Sequence, residues 1–274
     1  MLYTTANEVA PIPTKPTIHT LGDLTTICEV LDSDTLQLRH SNFSYVDEHD
    51  YVWFGQAFQP KLTLDAAKVS QVLELLPDAK AYPLAPEGLT VVADVSASTT
   101  YTKRPKLSLV DDDEAPGLSS WMLLQEVSIL QFLHQHPHPN IVQYLGCTVR
   151  RGYITGIVLE RCTTTLQKRS ENHLLSLNVR HLMCGIRAGV AHLHSLRHAH
   201  NDLNPMNIGI GHDGRAIILD LGSCGKFGSA LVSAGTPGWA DEIYTSEPEN
   251  DLKAMELLET WLLKQKPDLR SKES

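Results

Sequence analysis

The segment that most constrains this chain is His200-Asn201-Asp202-Leu203-Asn204-Pro205-Met206-Asn207, with Ile217-Ile218-Leu219-Asp220-Leu221-Gly222 following it. Between them lie two short apolar runs, 208–210 and 216–219, separated by the turn signal His212-Asp213-Gly214. A hairpin there brings Asn207 and Asp220 to one edge, with Asp202 five positions before Asn207. Two carboxylates and an amide in that arrangement suit phosphoryl transfer. That reaction asks for an acceptor held in line beside a carboxylate, and for hard oxygen ligands to a metal ion that neutralises a triphosphate. The glycine of the Asp-Leu-Gly step allows a chain turn that few other residues accept.

The rest of the chain supplies a scaffold. Residues 1–25, rich in Pro and Thr, read as a mobile arm. Alternating pieces over 36–54 predict a small hairpin or two. Thr63 reads as the cap of a helix carrying Leu64, Ala67, Val69, Val72, Leu73 and Leu76, stopped by Pro77. Residues 78–88, with two prolines and a glycine, read as a linker, and 89–95 and 99–110 as β-rich. The acidic run Asp111, Asp112, Asp113, Glu114 marks a solvated loop. Ser119 or Ser120 caps a helix with a stripe from Trp121 to Leu133. Two strands then flank Arg151-Gly152, a long helix covers 174–193, and a last helix covers 252–263. Strands first and helices later predict an α+β fold of two lobes. The boundaries are an N-terminal extension over 1–85, a small β-rich lobe over 86–161 and a helical lobe over 162–274.

Composition excludes other classes. With 42% hydrophobic and 20% charged residues the chain reads as soluble and globular. A net charge of -9 argues against nucleic acid and against an anionic membrane as partners. No signal peptide and no apolar run of membrane-spanning length are present, and the five scattered cysteines read as reduced thiols, so a cytoplasmic chain is expected. The histidines at 134, 136 and 138, and at 192, 194, 198 and 200, lack the convergent spacing of a zinc site. His200 reads as a packed brace for the loop, and Cys224 as a small packing residue.

The two motifs resemble the His-Arg-Asp-Leu…Asn and Asp-Phe-Gly signatures of protein kinases. By that resemblance the fold is kinase-like, Asp202 is the catalytic base, Asn207 binds one metal and Asp220 the bridging metal, with ATP and Mg2+ as cofactors. The likeness spans residues 103–261. Glu126 resembles the helix glutamate that pairs with a strand lysine. Lys103 is preferred for that lysine over Lys106, which follows Pro105. Ile157-Val158-Leu159-Glu160-Arg161-Cys162 resembles the strand and hinge, with Leu159 as gatekeeper and the Glu160 and Cys162 backbone meeting adenine. Gly235-Thr236-Pro237-Gly238-Trp239-Ala240-Asp241-Glu242 resembles the end of an activation segment, and Asp251 the buried aspartate of a later helix. Phrases such as YTKRP, PHPNIVQYLGC and GTPGW are most similar to short fungal kinase-like proteins.

The departures are equally specific. No glycine-rich loop covers the phosphates, since 88–100 holds one glycine. Tyr101 stands where a small alanine is usual over adenine, and Leu221 replaces the phenylalanine. Asn201 replaces the arginine that reads a phosphorylated segment, and a neutral amide cannot form that charge-assisted pair. Counterparts of the later large-lobe helices are missing, and residues 1–85 are expected to close that core. The resemblance implies an ATP-dependent protein kinase, Ser/Thr more than Tyr, acting on a protein substrate or partner; Asn204, where Ser/Thr kinases carry lysine, leaves the acceptor class open. Two alternatives stand beside it: a pseudokinase acting as a binding or scaffold module, and a small-molecule phosphotransferase of the aminoglycoside or choline kinase type. No sequence feature sets the oligomeric state.

Overall fold

The structure, a computed structural model, describes residues 13–32, 34–93, 95–107, 117–171, 178–231, 235–240 and 243–265. The first twelve residues, the acidic run at 111–114, Leu174 and the Asp241-Glu242 pair lie outside these. The chain forms two compact units. One is Met1–Ala93, Lys103–Leu123 and Cys147–Ile157; the other is Asp94–Thr102, Leu124–Gly146 and Val158–Ser274. Among the described residues no helix is long and apolar enough to cross a membrane.

The chain opens with an antiparallel sheet in the order β1-β2-β3-β4: β1 Thr26–Leu31, β2 Leu38–Val46, β3 Val52–Ala57 and β4 Glu74–Leu76. Helix α1, Ala66–Val72, lies in sequence between β3 and β4. Phe43 and Trp53 project from the sheet into a core completed by Ile18, Val69 and Leu73. Gly55, opposite Phe43, leaves room for that ring: a Cβ at Gly55 would fall 2.6 Å from its Cε2. Four expectations are corrected here. Asp65, not Thr63, caps α1, its carboxylate accepting from the Lys68 amide at 3.0 Å. The helix ends at Val72 because Leu73 is extended and residues 74–76 pair with β3. Residues 78–88 are not a linker: α2, Asp78–Ala81, leads into Tyr82, and Ala81 and Tyr82 are buried with Val52 and Leu107. Nor is the part of 1–25 that is described a free arm, since Ile18 is buried and its amide donates to Ser70 Oγ at 2.8 Å.

Asp50 knits this first unit together. Its backbone is left-handed (φ 61°), which aspartate tolerates better than most residues. Its carboxylate pairs with Arg104, lies 3.8 Å from Arg150 Nε, and accepts from Thr155 Oγ1 at 2.9 Å. Its carbonyl accepts from Tyr82 Oη at 3.0 Å and Arg151 Nη2 at 3.1 Å. Arg151 also makes a bidentate pair with Asp78 at 2.6 and 2.9 Å and sits 3.9 Å from the Tyr51 ring centroid. Residues of the N-terminal extension thus bury themselves in the cores of the first unit, against Leu107 and Tyr153.

Farther on, β5 is Thr100–Lys103 and α3 is Leu118–His134, with Val127, Leu130 and Leu133 buried. Ser119 lies inside α3 and donates to the Lys106 carbonyl at 3.1 Å, so it is not the cap expected of it. β6 Tyr144–Arg150 and β7 Tyr153–Glu160 join through Arg151 and Gly152, both at positive φ, as a tight hairpin requires; the sheet order is β5-β7-β6. Among the described residues of 89–95, where a strand was expected, Val91 makes an isolated parallel bridge with Cys147.

In the second unit, β8 Thr164–Thr165 and α4 Leu166–Glu171 precede α5, Val179–Ser195, capped by Asn178. Then come β9 His198–Ala199, β10 Ile208–Ile210, β11 Ala216–Ile218, β12 Gly225–Lys226 and α6 Pro248–Lys264. Val179, Leu182, Met183, Ile186 and Val190 form one face of α5 and bury against Ile208, Ile210 and Ile218 and against Ala254, Leu258 and Leu262 of α6. Gly189 permits this closeness, since a Cβ there would meet Ile218 Cδ1 at 2.7 Å and the Asn140 carbonyl at 3.0 Å.

Burial lowers the pKa of two histidines of this unit, His138 and His198; His192, stacked on His138 at 4.9 Å, adds to the first shift. His138 Nδ1 is occupied as the acceptor of the Asn140 amide, so protonation there breaks a hydrogen bond. The unfolded chain, with ordinary histidines near 6.5, binds more protons than the folded one below that pH. Stability is therefore expected to be complete above about pH 6.5 and to fall as the pH drops through the lowered values. Thermal melts at pH 7.5 and 5.5 check this. His138→Gln should lessen the acid loss, and an equal loss in parent and variant would contradict the assignment.

Candidate functional site

The hairpin β10–β11 builds the site. Ile208 pairs with Ile218, so Asn207 and Leu219 face each other at its open end, where the Leu219 amide donates to the Asn207 carbonyl at 2.9 Å. The next residue, Asp220, has left-handed φ (52°) and turns the chain into a short 3-10 turn, Leu221–Ser223. Its Oδ1 accepts from the Gly222 amide at 3.2 Å. Asp202 and Asn207 are bound directly: Asn207 Nδ2 donates to the Asp202 carbonyl at 2.8 Å and to its Oδ2 at 3.0 Å. Asn207 Oδ1 makes no hydrogen bond to the described residues. With the amide nitrogen committed to Asp202, that oxygen is the atom left to bind a ligand. Carboxylates and an amide oxygen are hard donors of the kind that Mg2+ takes.

Asp202 Oδ1 accepts from the Thr236 amide at 2.8 Å and from Asn204 Nδ2 at 3.2 Å. The loop is braced from below. His200 Nε2 meets the Leu219 carbonyl at 2.8 Å, and its Nδ1 accepts from the Asp202 amide at 3.2 Å. These partners require a neutral ring protonated on Nε2. Buried Asp251 accepts from the His200 and Asn201 amides at 2.9 and 2.8 Å and from His194 Nε2 at 2.8 Å, which satisfies a carboxylate with no solvent exposure. Asn201 is buried and left-handed (φ 65°). Its Nδ2 donates to the carbonyls of Ala199 and Ser223 and to Ser246 Oγ, and its Oδ1 accepts from Asn250. It holds the chain on either side of the 3-10 turn without charge.

The remaining assigned residues fall as follows. Glu126, on α3, is buried, and its carboxylate borders Gly222: a Cβ there would lie 3.1 Å from Asp220 Oδ1 and 3.7 Å from Glu126 Oε2. Leu159 is buried at the end of β7. The Glu160 amide is spent on the Gln143 carbonyl at 2.9 Å and its side chain on Arg215 at 3.4 Å. Cys162 has a backbone N–H that no described residue engages, and its Sγ fills the space beside Gly209. Burial, and then Glu160, push its thiol up to about 11, which keeps it protonated and unreactive. Burial pushes the half-buried Cys224 thiol up further still, with Asp251 adding to the effect. Lys103 closes β5 half-buried and belongs to the first unit, whereas all the others belong to the second; Lys106 is exposed and outside the strand.

Two features were not visible in the sequence. Thr236 touches Asp202 from 34 positions away, which no local spacing can reveal. Where a glycine loop is missing, Ser96 to Thr100 forms a turn closed by the Thr99 and Thr100 amides on the Ser96 carbonyl at 3.1 and 2.9 Å. Arg161 binds this turn twice, its amide to the Thr99 carbonyl at 3.0 Å and its Nε to the Thr100 carbonyl at 2.9 Å. Tyr101, next along, is 50% exposed.

A catalytic-type loop, an Asp-Leu-Gly turn and a helix glutamate beside that turn define a protein of the kinase class. A sequence profile of the protein kinase domain matches residues 105–251, more than half of the chain, and the chain belongs to that family. The match begins two residues after Lys103. The chain is 36% identical over 133 residues to the human serine/threonine-protein kinase/endoribonuclease IRE2, covering 43% of this chain and 14% of that protein. It is 31% identical over 113 residues to the serine/threonine-protein kinase TAO3 of Xenopus laevis, covering 40% and 12%. It is 37% identical over 122 residues to the serine/threonine-protein kinase/endoribonuclease IRE1 of Hypocrea jecorina, covering 37% and 10%. The chain thus spans no more than about a seventh of the length of these relatives.

Proposed function

We propose that this protein is a protein kinase that transfers the γ-phosphoryl group of ATP to a protein hydroxyl, serine or threonine rather than tyrosine. The observation that carries this reading is the Asp202–Asn207 pair at the open end of the β10–β11 hairpin, with Asn207 Oδ1 unengaged and Asp220 turned at the end of the neighbouring strand. Membership of the kinase family and likeness to serine/threonine kinases support it.

In this reading Asn207 Oδ1 and the Asp220 carboxylate hold Mg2+, which when bound neutralises charge on the triphosphate. Asp202 takes the proton of the acceptor hydroxyl. Its Oδ1 already accepts two N–H groups and its Oδ2 one, so the free lone pair that receives the proton is on Oδ2. The unengaged Cys162 amide is the hinge donor for adenine. Glu126 steadies the Asp220 turn and is the counterpart of the family's helix glutamate, as Lys103 is of its strand lysine. Residues 1–85 serve as an extension packed on the kinase-like domain, with 86–161 and 162–274 as its small and large lobes.

A second reading, a binding module with little or no turnover, draws support from the Ser96–Thr100 turn. The Thr99 and Thr100 carbonyls are tied to Arg161 and their amides close on the Ser96 carbonyl, so these two amides are not spread as a phosphate cradle. Thermal unfolding with MgATP, run beside a labelled-ATP transfer assay, separates the two. Ligand at 100 times its Kd should stabilise the parent by about 2.7 kcal/mol and Asp220→Asn by far less. Stabilisation with transfer selects the kinase. Stabilisation without transfer, or no stabilisation of the parent at millimolar MgATP, selects the binding module and refutes the first reading.

A further inference from the structure

We propose that Asn204 is a positioning residue for the phosphoryl-transfer loop, one that sets the Asp202 carboxylate by joining it to Thr236; this rests on the function proposed above. Asn204 has no solvent exposure, and its amide is used to capacity. Oδ1 accepts from the Met206 amide at 2.9 Å and the Asn207 amide at 3.2 Å, folding the loop that carries Asn207. Nδ2 donates to the Asp202 carbonyl and to Asp202 Oδ1, both at 3.2 Å, and to Thr236 Oγ1 at 3.0 Å. Thr236 closes the ring by donating its backbone N–H to Asp202 Oδ1 at 2.8 Å. Two N–H groups from two distant stretches of chain thus fix one carboxylate oxygen, with Thr236 Oγ1 holding the Asn204 amide in place, and leave Oδ2 to Asn207 and the acceptor.

The two halves of the amide do different work. The Oδ1 half is a local turn of the kind asparagine forms anywhere, and by itself implies only loop structure. The Nδ2 half reaches across 32 positions to Thr236. It does so with no charge, so this loop places no cation beside the transferring phosphoryl group.

The test separates these halves. Thr236→Val removes the hydroxyl acceptor and keeps the backbone N–H, Thr236→Ser keeps both, and Asn204→Asp keeps the Oδ acceptors and loses the Nδ2 donors. The expected result is a kcat about 10- to 100-fold lower for Thr236→Val and Asn204→Asp, with KM for ATP unchanged. The double variant should be no worse than the poorer single one, and Thr236→Ser should retain the parent rate. Hydrogen exchange of the Thr236 amide in the nucleotide-free protein should quicken in both single variants, while that of Val190 in α5 stays as in the parent. Parent-like kcat in Thr236→Val, or unchanged Thr236 exchange, overturns the proposal. If the parent itself transfers no phosphate, the functional reading fails, and exchange at Thr236 alone then decides: quickened supports the joint, unchanged removes it.

Discussion

Asp202→Asn should lower kcat by roughly 10²- to 10⁴-fold, the worth of a positioned general base, and leave MgATP affinity near that of the parent. The substitution is nearly isosteric, and its effect divides cleanly. The new amide can still face Asn207, but one of its two positions now presents N–H groups. If the nitrogen takes the Oδ2 position, it meets Asn207 Nδ2, itself a donor, and must turn away. If it takes the Oδ1 position, it meets the Thr236 N–H and Asn204 Nδ2, again donors. Either orientation loses hydrogen bonds as well as basicity. Rate measurements with titration of a fluorescent nucleotide check this: a fall in kcat with unaltered affinity is the expected pair. A variant that turns over at the parent rate would remove Asp202 from the chemistry.

The second large effect is on stability. Asp50→Asn keeps the side-chain shape and the tolerance of a left-handed backbone, and removes the charge that Arg104 and, farther off, Arg150 face. Loss of one partner of a buried ion pair costs about 3–5 kcal/mol. Because the Arg104 side chain is 34% exposed, solvent screens part of this, and about 3 kcal/mol is expected. For a chain of this size that lowers Tm by roughly 6–12 °C. Arg104→Met in the Asp50→Asn background should restore part of the loss, since the stranded guanidinium is gone. Calorimetry of the two single variants and the double one measures the coupling. Strict additivity of the single losses would show that Asp50 and Arg104 contribute independently, against the hub described for the first unit.

What the sequence disclosed follows physical range. The hairpin at 208–218 was legible because its strands are apolar, its turn is His-Asp-Gly, and its ends carry the polar residues that the chemistry needs. The face of α5 was legible from its 3.6-residue period over Val179–Ser195, with Asn178 as its cap. Leu73 and Leu76 misled for the same reason that α5 succeeded. They continue the period of α1, but pairing with Val52–Phe54 overrides a propensity that costs only tenths of a kcal/mol. Residues 78–88 looked like a linker because prolines punctuate loops, while the burial of Tyr82 depends on Asp50, 32 positions earlier. The contacts of Thr236 with Asp202 and of Arg161 with the Ser96–Thr100 turn lie likewise outside any local pattern. Within the site, residues near one another in sequence were assigned together and are found together. Those joined only by the fold had to be seen.

Single-turnover transfer from γ-labelled ATP, with protein in excess and Mg2+ saturating, probes the phosphoryl-transfer centre at its chemical step. Label should pass from ATP to a serine or threonine hydroxyl in the parent, and not in Asp202→Asn or Asp220→Asn prepared alongside. Label that stays in ATP with the parent, or that moves equally well with either variant, would contradict the role given to these two carboxylates.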